Sequence, residues 1–302
     1  MIVRADEEQI ARGAEIIRRG GLVAFPTETV YGLGANALDA DAVRRIYAAK
    51  GRPSTSPLIV HVDGEAMARS LVEAWPELAE KLASAFWPGP LTMVLKKAAM
   101  VPDVVTAGLD SVGIRMPNHP VALALIRQAG VPIAAPSANR FTEISPTTAA
   151  HVFRSLGNAV ELILASGATQ LGIESTVVSL TRNPPVILRP GIIGPHELER
   201  VTGSHWEHEA TQTTMAAESP GQHPRHYAPR TKLYVLGPGS KLAKGRGRII
   251  DMPGNSAEYA ARLYAELYKA DAEGWDWIAL RKPPETEEWD GIRDRLQRAS
   301  ED

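Results

Sequence analysis

Short apolar runs alternate with helical periods along the first two hundred residues of this chain, and that alternation places it in the α/β class. From Asp6 to Gly20 the period sets Ile10, Ala14 and Ile17 on one face. Acids crowd its first turn, Arg18 and Arg19 its last, and Gly20 supplies the stop. LVAFPT (22–27) follows as a buried strand, then a helix over Asp39–Lys50 with Val43, Ile46 and Tyr47 inward. Further strands are predicted at 58–62, 91–95, 112–116 and 132–138, and helices at 76–86, 119–129 and from near Pro146. ELILA, STVVSL and VILRP complete the sheet ahead of a short helix at 195–201. The expected architecture is a twisted mixed sheet with flanking helices.

The character changes over 202–229, which holds four of the eight histidines, many Thr, Ser and Gln, and no usable apolar period. Such a stretch is too long for an ordinary connection and reads as a linker or a functional loop. A small second α/β unit follows, with strands at KLYVL, RIIDM and WIALRK and helices over 256–270 and 287–298. The expected division is therefore 1–201, 202–229 and 230–302. With 302 residues the chain is long enough for two domains without covalent staples, and it has no cysteine, which excludes disulfides and thiol chemistry. Its formal net charge is -2, and the second unit's basic and acidic residues cancel, which argues against a protein that works mainly by gripping nucleic acid. There is no basic-then-apolar leader and no run near the roughly 18 apolar residues that span a bilayer, so a cytoplasmic protein with no membrane partner is expected.

Phosphate-loop, dinucleotide, nucleophile-elbow and zinc-helix motifs are missing. His205 and His208 form an H-x-x-H in polar surroundings, read as solvated; no metal site is expected. Polar residues instead gather at strand ends. PTETVYGLG (26–34) is either a turn whose hydroxyls cap backbone groups or the wall of a polar pocket. KGRP (50–53) places Arg52 between a Gly and a Pro, outside the helix that ends at Lys50, where a rigid fork of donors suits phosphate or carboxylate. PSAN (136–139) and RPG (189–191) close other strands with hydroxyl or cationic groups. Together they point to a polyphosphate cleft. His61, alone in a strand, reads as a core residue, whereas Arg115 in an apolar strand needs a paired anion if it points inward.

Taken in order, FPTETVYGLGANA, KGRPSTSPLIVHV, WPGPLTMVL, VGIRMPNHP, APSANRFTEISPTTAAHV, ESTVVSL and ILRPGIIG resemble the Sua5/YciO/YrdC family across about residues 6–200. Lys50, Arg52, Ser137 and Asn139 match its K-x-R and S-x-N hallmark, and SPGQHPRHYAP (219–229) is similar to the linker of its two-domain form. The resemblance implies a YrdC-like catalytic domain, a linker, and a small Rossmann-like C-terminal domain. It implies a nucleotidyltransferase that converts L-threonine, bicarbonate and ATP to threonylcarbamoyl-AMP and pyrophosphate. Mg2+ would arrive with the ATP, and a downstream tRNA threonylcarbamoyltransferase would use the product to modify tRNA. Lys50, Arg52, Ser137 and Asn139 would be catalytic. Thr29, His61, Arg115, Ala135 and Ser175 would bind threonine, with Arg115 on its carboxylate. Arg52, Ser56, Ser111, Ser137, Ser145, Arg189 and Tyr227 would bind ATP, with Asn139 and Lys50 beside them.

Two departures stand out: Thr142 occupies the position after Phe141 where the family has Gly, and the C-terminal domain is short. The linker's prolines, His223, His226 and Tyr227 predict a segment folded over the cleft, with a proline strap packed on the second domain as the alternative. Rival functions are a double-stranded-RNA-binding module, reduced here to weak tRNA binding by the balanced charge, and a carbamoyl-adenylate former of the hydrogenase-maturation type. The latter has acylphosphatase and zinc-finger-like regions that this chain lacks.

Overall fold

The computed structural model describes residues 1–208 and 225–300. Strand β1 (Ile2–Arg4) precedes α1 (Glu7–Arg18), β2 (Val23–Phe25), β3 (Gly32–Asn36), α2 (Ala40–Lys50) and β4 (Ile59–His61). Next come α3 (Glu65–Ser70), α4 (Glu77–Phe86), β5 (Leu91–Lys96), α5 (Asp103–Thr106), β6 (Ser111–Arg115) and α6 (Pro120–Ala129). The first domain ends with β7 (Ile133–Ala134), α7 (Ala149–Leu156), β8 (Leu162–Ala165), β9 (Thr176–Ser179), β10 (Val186–Arg189), α8 (Pro195–Thr202) and β11 (Glu207–His208). The second comprises β12 (Lys232–Leu236), β13 (Gly247–Ile249), α9 (Ser256–Ala272), β14 (Trp277–Arg281) and α10 (Asp290–Ala299).

Among the described residues, β1 to β11 form one sheet in the order β1-β8-β2-β3-β7-β4-β6-β5-β9-β10-β11. Its pairings mix senses: β4 runs parallel to β6, whereas β2–β3, β3–β7, β5–β6 and β9–β10 are antiparallel. The period of two along each strand divides the apolar residues between two cores. Val23 and Phe25 of β2 and Leu162 and Leu164 of β8 face a cluster with Ile10, Ile17, Leu125 and Ile126 of α1 and α6. Ala24 and Ile163, between them, face the opposite cluster with Val43 and Ile46 of α2. In the second domain all three strands are parallel, in the order β12-β14-β13. Its core of Leu263, Leu267, Ile278 and Ile292 continues into Val30, Ile144, Ile173 and Tyr227. The second domain is thus packed onto the first.

Most of the expected elements are present; β1, α3 and α5 add to them, and the other differences fall at the strand ends. PTETVYGLG is not only a turn, because its last residues enter β3 and pair with β2, and Ala35 and Asn36 just beyond them pair with β7. The strand expected over 132–138 pairs regularly only at Ile133 and Ala134, after which the chain leaves the ladder to make single bonds with Tyr31 and Leu33. The supposed linker contributes β11, parallel to β10. His223 and the first half of SPGQHPRHYAP lie outside the described residues.

Candidate active site

The strand ends converge on an open cavity of about 510 Å³, whose wall draws on segments far apart in the chain. Thr27, Thr29 and Val30 come from the β2–β3 turn, Arg52 from the end of α2, His61 from β4 and Arg115 from β6. Ala135 and Ser137 follow β7, Glu174 and Ser175 precede β9, Arg189 ends β10, and His226 and Tyr227 close the circle. Of the residues singled out from the sequence, Thr29, Arg52, His61, Arg115, Ala135, Ser137, Ser175, Arg189 and Tyr227 line this cavity.

Others stand just behind the wall. Gly51, at φ 61° in the left-handed region, ends α2 and turns the chain away. Lys50, the last helical residue, then points not to water but inward, donating to the carbonyls of Ser137 (2.5 Å) and Asn139. Asn139 Nδ2 donates to the carbonyls of Arg140 and Glu143, both at 2.8 Å, which fixes the turn that presents Ser137. Ser56 accepts from Arg52 through its hydroxyl, and Pro57 carbonyl accepts from the same guanidinium at 3.1 Å. Ser145 donates to Glu174 Oε1 at 2.5 Å. Ser111 is not part of this arrangement: it lines a separate small cavity with Thr92, Thr106 and Val177. Its place at the start of β6 puts it at the far end of the strand from Arg115.

Four cations are buried here with few carboxylates, and their environment records the cost. Burial, followed by the neighbouring Arg52 charge, holds the Lys50 ammonium well below its ordinary range. Burial also brings Arg52 down to about 10 and lowers Arg189. His61 falls to about 3 through burial and then the Arg115 charge, so its imidazole is neutral. His226 is lowered in the same way by burial and by Arg52 and Lys50. A polyanion would reverse these penalties, since each buried cation would gain a partner in a low-dielectric cleft.

Arg115 corrects one expectation. Its anion is already present: the guanidinium forms an ion pair with Glu28 at 2.7 Å, both side chains buried, and Nε donates to the Gly89 carbonyl at 3.2 Å. A threonine carboxylate would therefore join an existing pair. Glu28 sits in the PTETVYG turn, where an acid three residues past a strand carries no periodic signal.

Glu174 is a second residue that the sequence did not single out. Burial pushes its carboxyl up, but Arg295, Arg189 and the Ser145 hydroxyl more than offset this and hold it below the ordinary value. Arg295, fully buried on α10, donates through Nε to Glu174 Oε2 at 2.8 Å and through Nη1 to the Pro190 carbonyl at 2.9 Å. Tyr264 of α9 donates to the same carboxylate at 3.0 Å. Arg189 donates to the Ser175 carbonyl at 2.9 Å and to its hydroxyl at 3.2 Å. The second domain thus braces the segment that carries Ser175.

His226 and Tyr227 enter from the linker. Ala228 donates to the Thr142 carbonyl at 2.9 Å and His226 to the Arg298 carbonyl at 3.0 Å, so the segment is tied to both domains. Tyr227 adopts φ 61°, rare for a residue with a side chain, and stacks near Tyr264 at 5.9 Å. Its hydroxyl is buried without a hydrogen-bond partner, as is His226 Nδ1. Two unpartnered polar groups on the wall of a cationic cavity suit a ligand that completes them. His205 and His208 are exposed and do not line this cavity, and His205 pairs with Glu199 at 2.8 Å, an acidic partner that the spacing did not suggest.

The residues around the cavity fit an anion better than a cation held by the protein. Glu28 and Glu174 are both engaged by arginines, and no group of three or more His, Cys, Asp or Glu is placed to hold a metal among the described residues. No described helix is long and apolar enough to cross a membrane.

Comparisons with known proteins give the family. A family model of Sua5, YciO and YrdC proteins, described as "Telomere recombination", matches residues 15–191, and one described as "Threonylcarbamoyl-AMP synthase, C-terminal domain" matches 193–301. The threonylcarbamoyl-AMP synthase of Pyrococcus abyssi is 42% identical, covering 98% of this chain and 95% of its own length. That of Bacillus subtilis is 48% identical over 76% of this chain and 67% of its own. The crystal structure of P. abyssi Sua5 complexed with L-threonine superposes with a TM-score of 0.92 at 40% identity, covering 99% of this chain and 96% of that one. E. coli YciO, at 26% identity and a TM-score of 0.54, covers 64% of this chain and 95% of its own. The chain belongs to the Sua5/YciO/YrdC family, and its second domain is the C-terminal domain found in threonylcarbamoyl-AMP synthases.

Proposed function

We propose that this protein is an L-threonylcarbamoyladenylate synthase: L-threonine, bicarbonate and ATP give threonylcarbamoyl-AMP, pyrophosphate and water. The observation that carries this reading is the convergence of Arg52, Arg115 and Arg189 on one cavity, with Lys50 behind it. The threonine amine is carboxylated by bicarbonate, and the carbamate oxygen attacks the α-phosphorus as the bond to pyrophosphate breaks. Such a step needs charge neutralisation and alignment more than a strong base, which suits a site rich in Arg, Lys and hydroxyl groups. Neutral His61 is available as a hydrogen-bond partner at the threonine end, beside Thr29, Ala135 and Ser175, with Arg115 taking the carboxylate.

Arg52, Ser137, Arg189 and Tyr227 would hold the nucleotide, with Ser56, Ser145 and Asn139 fixing their geometry. Mg2+ would come with the triphosphate and shield its charge; the chain's own residues then orient the reacting ends. We assign 1–201 as the catalytic domain, 202–229 as linker and lid, and 230–302 as the bracing domain. With His226 and Tyr227 on the cavity wall, the lid would keep water from a mixed anhydride that hydrolyses readily. The product would pass, in the cytoplasm, to a transferase that modifies tRNA, and the net charge of -2 supports only weak direct tRNA binding.

Pyrophosphate release from ATP tests the assignment. It is expected to require bicarbonate and L-threonine together, with serine poorer by the roughly 1–3 kcal/mol that one methyl contributes. Equal release without an amino acid refutes it.

A further inference from the structure

The second domain has a crevice of its own. An open cavity of about 500 Å³ lies at the carboxyl ends of β13 and β14, on the loops that follow them. In parallel α/β sheets that edge is where ligands bind, because strand ends, loops and helix N-termini meet there. The loop Asp251–Asn255 leads from β13 into the first turn of α9, a helix of 17 residues. Asn255 caps that helix by accepting from Glu258 N at 3.1 Å. Its remaining first-turn amides have no carbonyl of their own helix to donate to. A Cβ on Gly254, beside them, would meet nothing within 4 Å, so the turn borders open space.

The side chains around the crevice are of three kinds. Arg281, the last residue of β14, is exposed and forms no ion pair among the described residues. Asp251, which follows β13, is also exposed and lines the crevice. Trp289 and Tyr259 stand edge to face at 5.4 Å and form the apolar floor with Pro283. Tyr259 is 5% exposed, yet its hydroxyl has no hydrogen-bond partner. A buried hydroxyl without a partner is costly unless something completes it.

We propose that this crevice binds a nucleoside phosphate, at a site distinct from the cleft of the first domain. The phosphate would sit at the start of α9 with Arg281, the ribose hydroxyls on Asp251, and the base against Trp289 and Tyr259. Tyr264 on the same helix, and Arg295 on the helix that follows Trp289, both reach Glu174. The crevice and the first domain's cleft therefore share two rigid elements.

The test is calorimetric titration of AMP into the full chain, alongside Arg281→Glu and Gly254→Asp. Both substitutions lie on the exposed rim and spare the packed core. We expect each variant to lose one AMP equivalent or to bind it at least tenfold more weakly, with any AMP held by the first domain's cleft common to all three proteins. Inorganic phosphate alone is expected to bind at least tenfold more weakly than AMP to that equivalent. AMP binding identical in all three proteins overturns the site, and phosphate binding as tightly as AMP overturns the nucleoside assignment. Pyrophosphate release at saturating threonine, bicarbonate and ATP is expected to be unchanged in both variants, so the site and the proposed synthase activity stand or fall separately.

Discussion

Arg115 and Glu28 form a buried pair beside the proposed threonine pocket, and each is the other's main compensation. Removing one member of such a pair leaves an unpaired buried charge, at a cost of about 3–5 kcal/mol. Arg115→Met is therefore expected to lower thermal stability as well as to raise the threonine KM. Adding Glu28→Gln to it should restore most of the stability without restoring the KM, because only the arginine would touch substrate. A double variant that recovers both would place Arg115 in the scaffold alone. Thr142 gives a second test at this scale. It holds φ 70°, in the left-handed region where a β-branched residue is strained, and its carbonyl anchors Ala228 of the segment that carries Tyr227. Thr142→Gly is expected to stabilise the protein by roughly 0.5–1 kcal/mol, the relief of strain exceeding the added freedom of the unfolded chain. A fall in Tm would show that the turn is not strained by the threonine side chain.

Helix α2 illustrates what could be read from the sequence and what could not. Its period, its Asp39 cap and its Gly51 stop are local signals, and the helix runs where they place it. The burial of Lys50 is not local. A lysine at a helix C-terminus is ordinarily explained by the macrodipole, yet this one donates to two carbonyls nearly ninety residues away. The same distinction separates β2 and β4, legible as apolar runs, from β1, β3 and β11, which exist because a neighbouring strand offers them a ladder. Lys50 also has a consequence for pH. Burial and Arg52 lower its pKa in the free protein, and a bound triphosphate would raise it again. Binding then favours the protonated form, so affinity is complete below the free-state pKa and declines as pH rises through the bound-state value. At pH about 9, where the nucleotide phosphates are already ionised, ATP binding is expected to take up protons. Calorimetry in buffers of different ionisation enthalpy measures this, and proton release would contradict it.

At the scale of the whole molecule, the two domains are joined through charge as well as apolar packing. Most of the site residues came from motifs in the first domain, but Glu174 depends on Arg295, more than a hundred residues further along the chain. No periodicity or short motif links such positions; only the docking of α10 against the turn before β9 brings them together. A chain cut near residue 205 would strip Arg295 and Tyr264 from a buried carboxylate and uncover Val30, Ile144 and Ile173. Arg295→Met in the full chain isolates the electrostatic part. Taking the ion-pair partner from Glu174 should cost up to about 3–5 kcal/mol, with the Arg189 charge and the Ser145 and Tyr264 hydroxyls left to support the carboxylate. Glu174 supports the segment bearing Ser175, so the threonine KM should rise with kcat less affected. Glu174→Gln combined with Arg295→Met removes both charges and is expected to regain stability while the KM stays high. If Arg295→Met leaves both Tm and the threonine KM unchanged, the second domain does not brace the cleft through this contact.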